Sequence, residues 1–307
     1  MILIKIIIAV LIVYCVFCVG PGIVAYILTF CRKNDTGNLQ SDPITHFYKG
    51  YEAEYKEKLE RLKAIPSKRV TIKGNDGVKL SADYYRNGSD KLAILFHGYR
   101  TDPYVNFAGY GSALWDIKYD LLIVYERGHF PSEGSTSMAV LEREDLILWT
   151  EYAKKAYNPA VIVLGGVSMG GATVAYASDR LKGVNALILD CPFLSPYVQM
   201  ANECKQRHIL PALVMPTIRL CGYIHLKQDI KEPITKHLKN TGIPVLMIHG
   251  EKDKTVDFSY GEMIFDAVAS KKTFLKIKDA GHAAGLIIGG EDAAQKLSDF
   301  ILECENV

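Results

Sequence analysis

The 307-residue chain carries 36 Lys and Arg against 34 Asp and Glu, a formal net charge of +2, with no long block of one sign. That balance excludes the basic stripe or patch by which a nucleic-acid binder is recognised. The length fits either one large domain with an appendage or two ordinary domains, so local patterns have to decide.

Ile6 to Phe30 is a run of twenty-five residues without a charge. As a helix it would extend about 38 Å at 1.5 Å per residue, enough to cross a hydrocarbon core of roughly 30 Å. A cleaved signal peptide is the competing reading, but its apolar core usually runs only about 7 to 15 residues. We therefore expect an uncleaved transmembrane anchor over residues 1–33, kinked near Gly20, Pro21 and Gly22. Lys5 flanks one end and Arg32 and Lys33 the other, so the charge rule does not decide which side of the membrane the rest occupies. Cys15 and Cys18 have C-x-x-C spacing, but no second ligand pair accompanies them and they do not read as a zinc site. Cys31 is a candidate for lipid attachment. Cys191, Cys204, Cys221 and Cys304 are compatible with pairing in an oxidising space and with free thiols in the cytosol.

Residues 34–66 read as a polar linker, Asn34 to Pro43, followed by a charged surface helix over Tyr48 to Leu62. Beyond Pro66, short strands are expected at Arg69 to Lys73, Val78 to Tyr85 and Leu92 to Phe96, the first two joined by an Asn75-Asp76-Gly77 turn. Buried strands at Leu121 to Tyr125, Val161 to Leu164, Ala186 to Leu189, Val245 to Ile248 and Phe274 to Ile277 then alternate with helical stretches. The helices fall near Asn106 to Ile117, Glu142 to Ala156, Gly170 to Leu181, Ser259 to Val268 and Ala293 to Glu303. Such alternation predicts an α/β fold with a mainly parallel sheet over residues 67–307. Residues 192–242, divided by Pro196, Pro211, Pro216 and Pro233, interrupt the rhythm and read as a helical lid over one end of the sheet.

Gly166-Val167-Ser168-Met169-Gly170 matches G-x-S-x-G, with a strand before it and an Ala-rich helix after it, as a nucleophile elbow requires. The sharp turn demands small residues on either side and points the Ser168 hydroxyl outward, beside a helix N-terminus that favours developing negative charge. A serine hydroxyl needs a base held by a carboxylate, and on this kind of scaffold the chain order is serine, acid, histidine. Of eight histidines, only His282 lies after the last strand, in a Gly-flanked loop; His208, His225 and His237 fall in the lid, and His97 and His249 end strands. Asp253 follows the strand Val245 to Ile248 and is the favoured acid. Asp190, at the end of the preceding strand, is its rival, with Asp257 and Glu251 as outside choices. The backbone N–H groups of Met169 and of Tyr99, in His97-Gly98-Tyr99-Arg100, are the expected oxyanion donors.

Taken together these motifs, from about Val70 to Cys304, resemble the α/β-hydrolase superfamily. The likeness is strongest to bacterial membrane-anchored serine hydrolases related to the serine aminopeptidase and prolyl-oligopeptidase-like groups. Arg127-Gly128-His129-Phe130-Pro131-Ser132-Glu133-Gly134 is similar to their R-G-H-G-x-S-x-G loop, with Phe130 in place of the second glycine and Tyr125-Glu126 where an Asp-x pair often stands. Glu142-Arg143-Glu144-Asp145-Leu146 and the run from Ile243 to Gly250 are further matches. The resemblance implies a triad of Ser168, Asp253 and His282, an acyl-enzyme on Ser168, no metal or organic cofactor, and a bacterial cell membrane as location. Esterase action on a small-molecule or lipid ester is the favoured expectation. A peptidase or aminopeptidase, with Glu203 as a weak candidate for binding a free amine, and an acyltransferase are the alternatives with the same triad. A catalytically idle membrane-tethered binding protein is the alternative from another class; oligomeric state is not legible.

Overall fold

The computed structural model describes residues 2–31 and 48–305, so the expected linker Asn34 to Pro43 and the basic pair Arg32-Lys33 lie outside the described residues. An eight-stranded sheet in the order β1-β2-β4-β3-β5-β6-β7-β8 forms the centre. Its strands are β1 (Ser67–Lys73), β2 (Lys79–Tyr85), β3 (Lys91–Phe96), β4 (Asp120–Tyr125), β5 (Val161–Val167), β6 (Ala186–Asp190), β7 (Val245–Gly250) and β8 (Lys272–Ile277). β2 runs antiparallel to both β1 and β4; every other pairing is parallel. The hairpin register pairs Lys73 with Lys79, as the Asn75-Asp76-Gly77 turn predicts. β4 and β5 are buried at every position, the pattern of a parallel strand covered on both faces.

Helices cover those faces: α2 (Glu52–Ala64), α3 (Pro103–Asp116), α4 (Glu142–Tyr157), α5 (Met169–Ala177), α9 (Phe258–Ala267) and α11 (Gly290–Cys304), with short α10 (Gly285–Ile288). Asp102 caps α3 by accepting from Tyr104 N–H, and Pro103 follows as its first residue, where a missing N–H costs nothing. Between β6 and β7 the expected lid is helical, with α6 (Pro196–Gln206), α7 (Pro211–Leu226) and α8 (Thr235–Leu238). Pro196 and Pro211 open their helices, but Pro216 does not divide the insert: α7 runs through it.

Helix α1 is continuous over residues 2–31, α-helical over Ile2–Tyr14 and Gly20–Tyr26 and π-helical over Cys15–Val19 and Ile27–Cys31. Ile4–Cys31 is long and apolar enough to cross a membrane. Its first half is exposed apolar surface, whereas Tyr26 and Phe30 are buried in the core shared with the sheet and lid. Gly22 shows why: a Cβ there would stand 2.7 Å from the Thr217 Cβ of α7, so only glycine lets the two helices approach this closely. All seven cysteines are free.

Candidate active site

Ser168 sits between β5 and α5 at φ 55° and ψ −110°, a conformation that side chains other than glycine adopt only under constraint. The constraint is the close approach of backbone on either side. A Cβ on Gly170 would lie 1.8 Å from the Phe96 carbonyl oxygen, and one on Gly166 would lie 2.2 Å from the carbonyl carbon of Gly170. The elbow therefore forms only with glycine at both positions.

His282 lies in the loop between β8 and α10, and its Nε2 is 2.9 Å from Ser168 Oγ. Its Nδ1 is 2.7 Å from Asp253 Oδ2. Asp253, in the loop after β7, is buried, and its Oδ1 accepts from Thr255 N–H at 2.8 Å and Val256 N–H at 2.9 Å. Burial alone would push this carboxyl up, but the bonds from His249 and His282, the nearby His282 and the Val256 N–H together hold it well below the usual carboxylate range. An ionised Asp253 fixes the His282 proton on Nδ1 and leaves Nε2 as an acceptor for the serine hydroxyl.

Asp190 is placed elsewhere. Its Oδ2 accepts from the Tyr110 hydroxyl at 2.7 Å, and burial raises its carboxyl. Asp257 caps α9 through Ser259 N–H, and Glu251 is exposed.

Two residues to which the sequence assigns no place in the triad join the site. His249 Nε2 lies 3.3 Å from Asp253 Oδ2 and 3.1 Å from the Val256 carbonyl, so a second imidazole backs the carboxylate. Their i, i+4 spacing across the end of β7 is the only sequence trace of this contact. His129 Nε2 accepts from Arg100 N–H at 2.9 Å, while Gly98 N–H donates to Asn106 Oδ1 at 2.7 Å. These bonds pin the loop on both sides of Tyr99, the residue expected to present one oxyanion donor. Met169 is the first residue of α5, where backbone N–H groups have no partner within the helix. Burial pushes His129 down to about 4 and His97 well below its ordinary value, so both rings are neutral struts. The loop resembling R-G-H-G-x-S-x-G keeps His129 and Ser132 buried, while Phe130 points out at 64% exposure. Arg127 anchors the loop through Asp145, with Nε–Oδ2 at 2.6 Å and Nη2–Oδ1 at 2.8 Å.

Cys191, Asp253 and His282 bring donor atoms within 4.8 Å of one another. They fit a metal poorly: burial and Asp190 push the Cys191 thiol well above its ordinary value, against the thiolate that a metal needs. Asp253 and His282 are already bonded to each other.

Ser168 and His282 open into a cavity of about 630 Å³. Val105, Met138, Phe193, Met200 and Ile209 give it an apolar lining, within the size range of small-molecule sites. Glu203 also borders it, with Arg207 Nε 3.7 Å away.

No protein-family model matches the chain. The uncharacterized protein YfhR of Escherichia coli (strain K12) is 24% identical over 252 residues, 77% of this chain and 81% of YfhR. Lysophosphatidylserine lipase ABHD12 of Danio rerio is 26% identical over 168 residues, 52% of this chain and 42% of ABHD12. Among solved structures, the Pyrococcus furiosus esterase Pf2001 superposes with a TM-score of 0.67 at 21% identity, over 80% of this chain and 95% of the esterase. Est1E from Butyrivibrio proteoclasticus, solved with ferulic acid bound, gives 0.61 at 20% identity over 78% of this chain and all of Est1E.

Proposed function

We propose that this chain, which has the α/β-hydrolase fold, is a membrane-anchored serine hydrolase that cleaves carboxylic esters through an acyl-enzyme on Ser168. The observation that carries this reading is the unbroken line from Ser168 Oγ to His282 Nε2 at 2.9 Å and from His282 Nδ1 to Asp253 Oδ2 at 2.7 Å.

In this mechanism the Ser168 oxygen attacks the ester carbonyl carbon as its proton passes to His282 Nε2. Asp253 stabilises the imidazolium without taking a proton itself. The oxyanion is met by the N–H groups of Met169 and Tyr99, the former at the positive end of α5. As the tetrahedral species collapses, the bond to the alkoxy oxygen breaks, and the departing alcohol takes its proton from His282. Water then attacks the acyl-enzyme, giving its proton to His282, and Ser168 leaves with that proton restored. The apolar cavity favours an acyl group over a charged peptide terminus. Glu203, the acid considered for a free amine, has a cationic neighbour in Arg207, which speaks against the aminopeptidase reading. The apolar length of α1 supports anchorage in a membrane.

A fluorophosphonate probe tests the nucleophile: the wild type should label stoichiometrically and Ser168→Ala not at all. Equal labelling of the two, or none of the wild type, would remove this reading.

A further inference from the structure

The second half of α1 is part of the catalytic unit. Tyr26 donates to or accepts from His225 of the lid at 2.8 Å, and its ring stacks on Phe30 with centroids 4.7 Å apart. Phe30 is completely buried. The Thr29 carbonyl accepts from the Tyr99 hydroxyl at 3.1 Å, and the Cys31 carbonyl accepts from Ser135 Oγ at 3.1 Å. One end of the apolar helix is thus tied to the loop that holds the expected oxyanion donor, and to Ser135, just after the loop from Arg127 to Gly134. Ala25, Leu28 and Thr29 line the cavity into which Ser168 and His282 open. Leu28 is itself 51% exposed, while Val24 at 55% and Ile27 at 50% lie outside the cavity lining and continue the apolar surface of Val13, Val16 and Phe17. Beside them the outer face of α7 exposes Leu220, Tyr223 and Ile224.

We propose that α1 forms one wall of the substrate pocket, with Leu28 setting the acyl-chain length that it accepts, and that the ester it takes is a long-chain one drawn from the lipid layer around α1. This rests on the ester-hydrolase reading above. A helix wanted only as a tether has no reason to give three residues to the cavity or to bond the Tyr99 loop. One that is apolar on both faces offers an acyl chain a continuous path from lipid to Ser168. Each methylene moved from water into such a pocket is worth about 0.8 kcal/mol, so a wall of this kind discriminates by chain length.

The test uses the full-length protein in detergent micelles and an alkyl fluorophosphonate bearing a diazirine at the end of a long chain. Trypsin cuts after Lys5 and Arg32 and nowhere between, so residues 6–32 leave as one peptide. Irradiation after labelling should join that peptide to the Ser168 peptide. Labelling of Ser168 with crosslinks confined to other peptides would overturn the wall while leaving the nucleophile standing; no labelling would overturn both. In parallel, Leu28→Trp should lower the ratio of p-nitrophenyl palmitate to p-nitrophenyl acetate kcat/KM at least tenfold. Ile27→Trp, equally exposed but outside the cavity lining, should leave that ratio within twofold. Equal ratios in Leu28→Trp and wild type would contradict the assignment of Leu28. Should Leu28→Trp not fold, the wild-type crosslink decides alone.

Discussion

The Tyr110 hydroxyl donates to Asp190 Oδ2 at 2.7 Å, and that bond separates two carboxylates that the sequence leaves in competition. Asp190 ends β6 and Asp253 lies in the loop after β7, both at the end of the sheet where Ser168 stands. Asp253 accepts from His282, whereas Asp190 is turned into the core towards α3.

Asp253→Asn should therefore reduce kcat for ester hydrolysis by about 10³- to 10⁴-fold, because an amide neither favours the Nδ1–H tautomer nor stabilises imidazolium. Asp190→Asn should reduce it far less and act mainly on thermal stability, through the Tyr110 bond. Steady-state kinetics beside thermal unfolding distinguish the two; equal losses of kcat would contradict the assignment.

His249 backs Asp253 at 3.3 Å and is fully buried. His249→Phe keeps a ring but removes this donor, and we expect kcat to fall about tenfold or more, consistent with loss of a hydrogen bond to a charged group. The kcat/KM–pH profile should change as well, since the carboxylate that supports His282 loses one of its donors. A changed melting temperature with an unchanged profile would assign His249 a purely structural role.

His97 and His129 are both depressed by burial, His129 to about 4. Between that value and the unfolded histidine value of about 6.5, the unfolded chain binds protons that the folded chain does not. Each ring then contributes stability that is fully present above about 6.5 and is lost as pH falls. The slope is up to about 1.4 kcal/mol per pH unit for each ring. Buried carboxyls with raised values, Glu126 and Asp145 among them, act in the opposite sense. The informative quantity is therefore the difference between proteins. Unfolding of His129→Gln measured from pH 7 to 5 should lose less stability than the wild type over that interval. Parallel curves would show that His129 is already charged in the fold.

Gly170→Ala places a methyl 1.8 Å from the Phe96 carbonyl oxygen, and backbone on both sides leaves nothing flexible to yield. A loss of at least about 3 kcal/mol and of probe labelling is expected. Gly242→Ala, where no atom lies within 4 Å of the added carbon, should leave stability nearly unchanged. Comparable melting temperatures for the two variants would contradict the account of the elbow.

Much of this site was legible because its parts leave local traces. The elbow needs glycines at fixed offsets, β4 and β5 read as uninterrupted apolar runs, and His282 follows the last strand. The choice between Asp253 and Asp190 was less secure, since strand-end position brings both near the histidine and only the tertiary Tyr110 contact separates them. The roles of His249 and His129 lie in rings turned towards other loops, which no periodicity records. The inward face of α1 was invisible for a different reason: a helix apolar all round has no polar face to contrast with a buried one. Only Gly22, in contact with Thr217, hints at close packing there, and glycine in an apolar run reads equally as a kink.

Hydrolysis of p-nitrophenyl esters from acetate to palmitate by the full-length protein, with Ser168→Ala alongside, tests the central claim most directly. The account predicts turnover in the wild type, a preference for the longer chains, and a loss of at least about 10³-fold in Ser168→Ala. Turnover that survives in Ser168→Ala, or none with any ester in a protein shown to be folded, would contradict it.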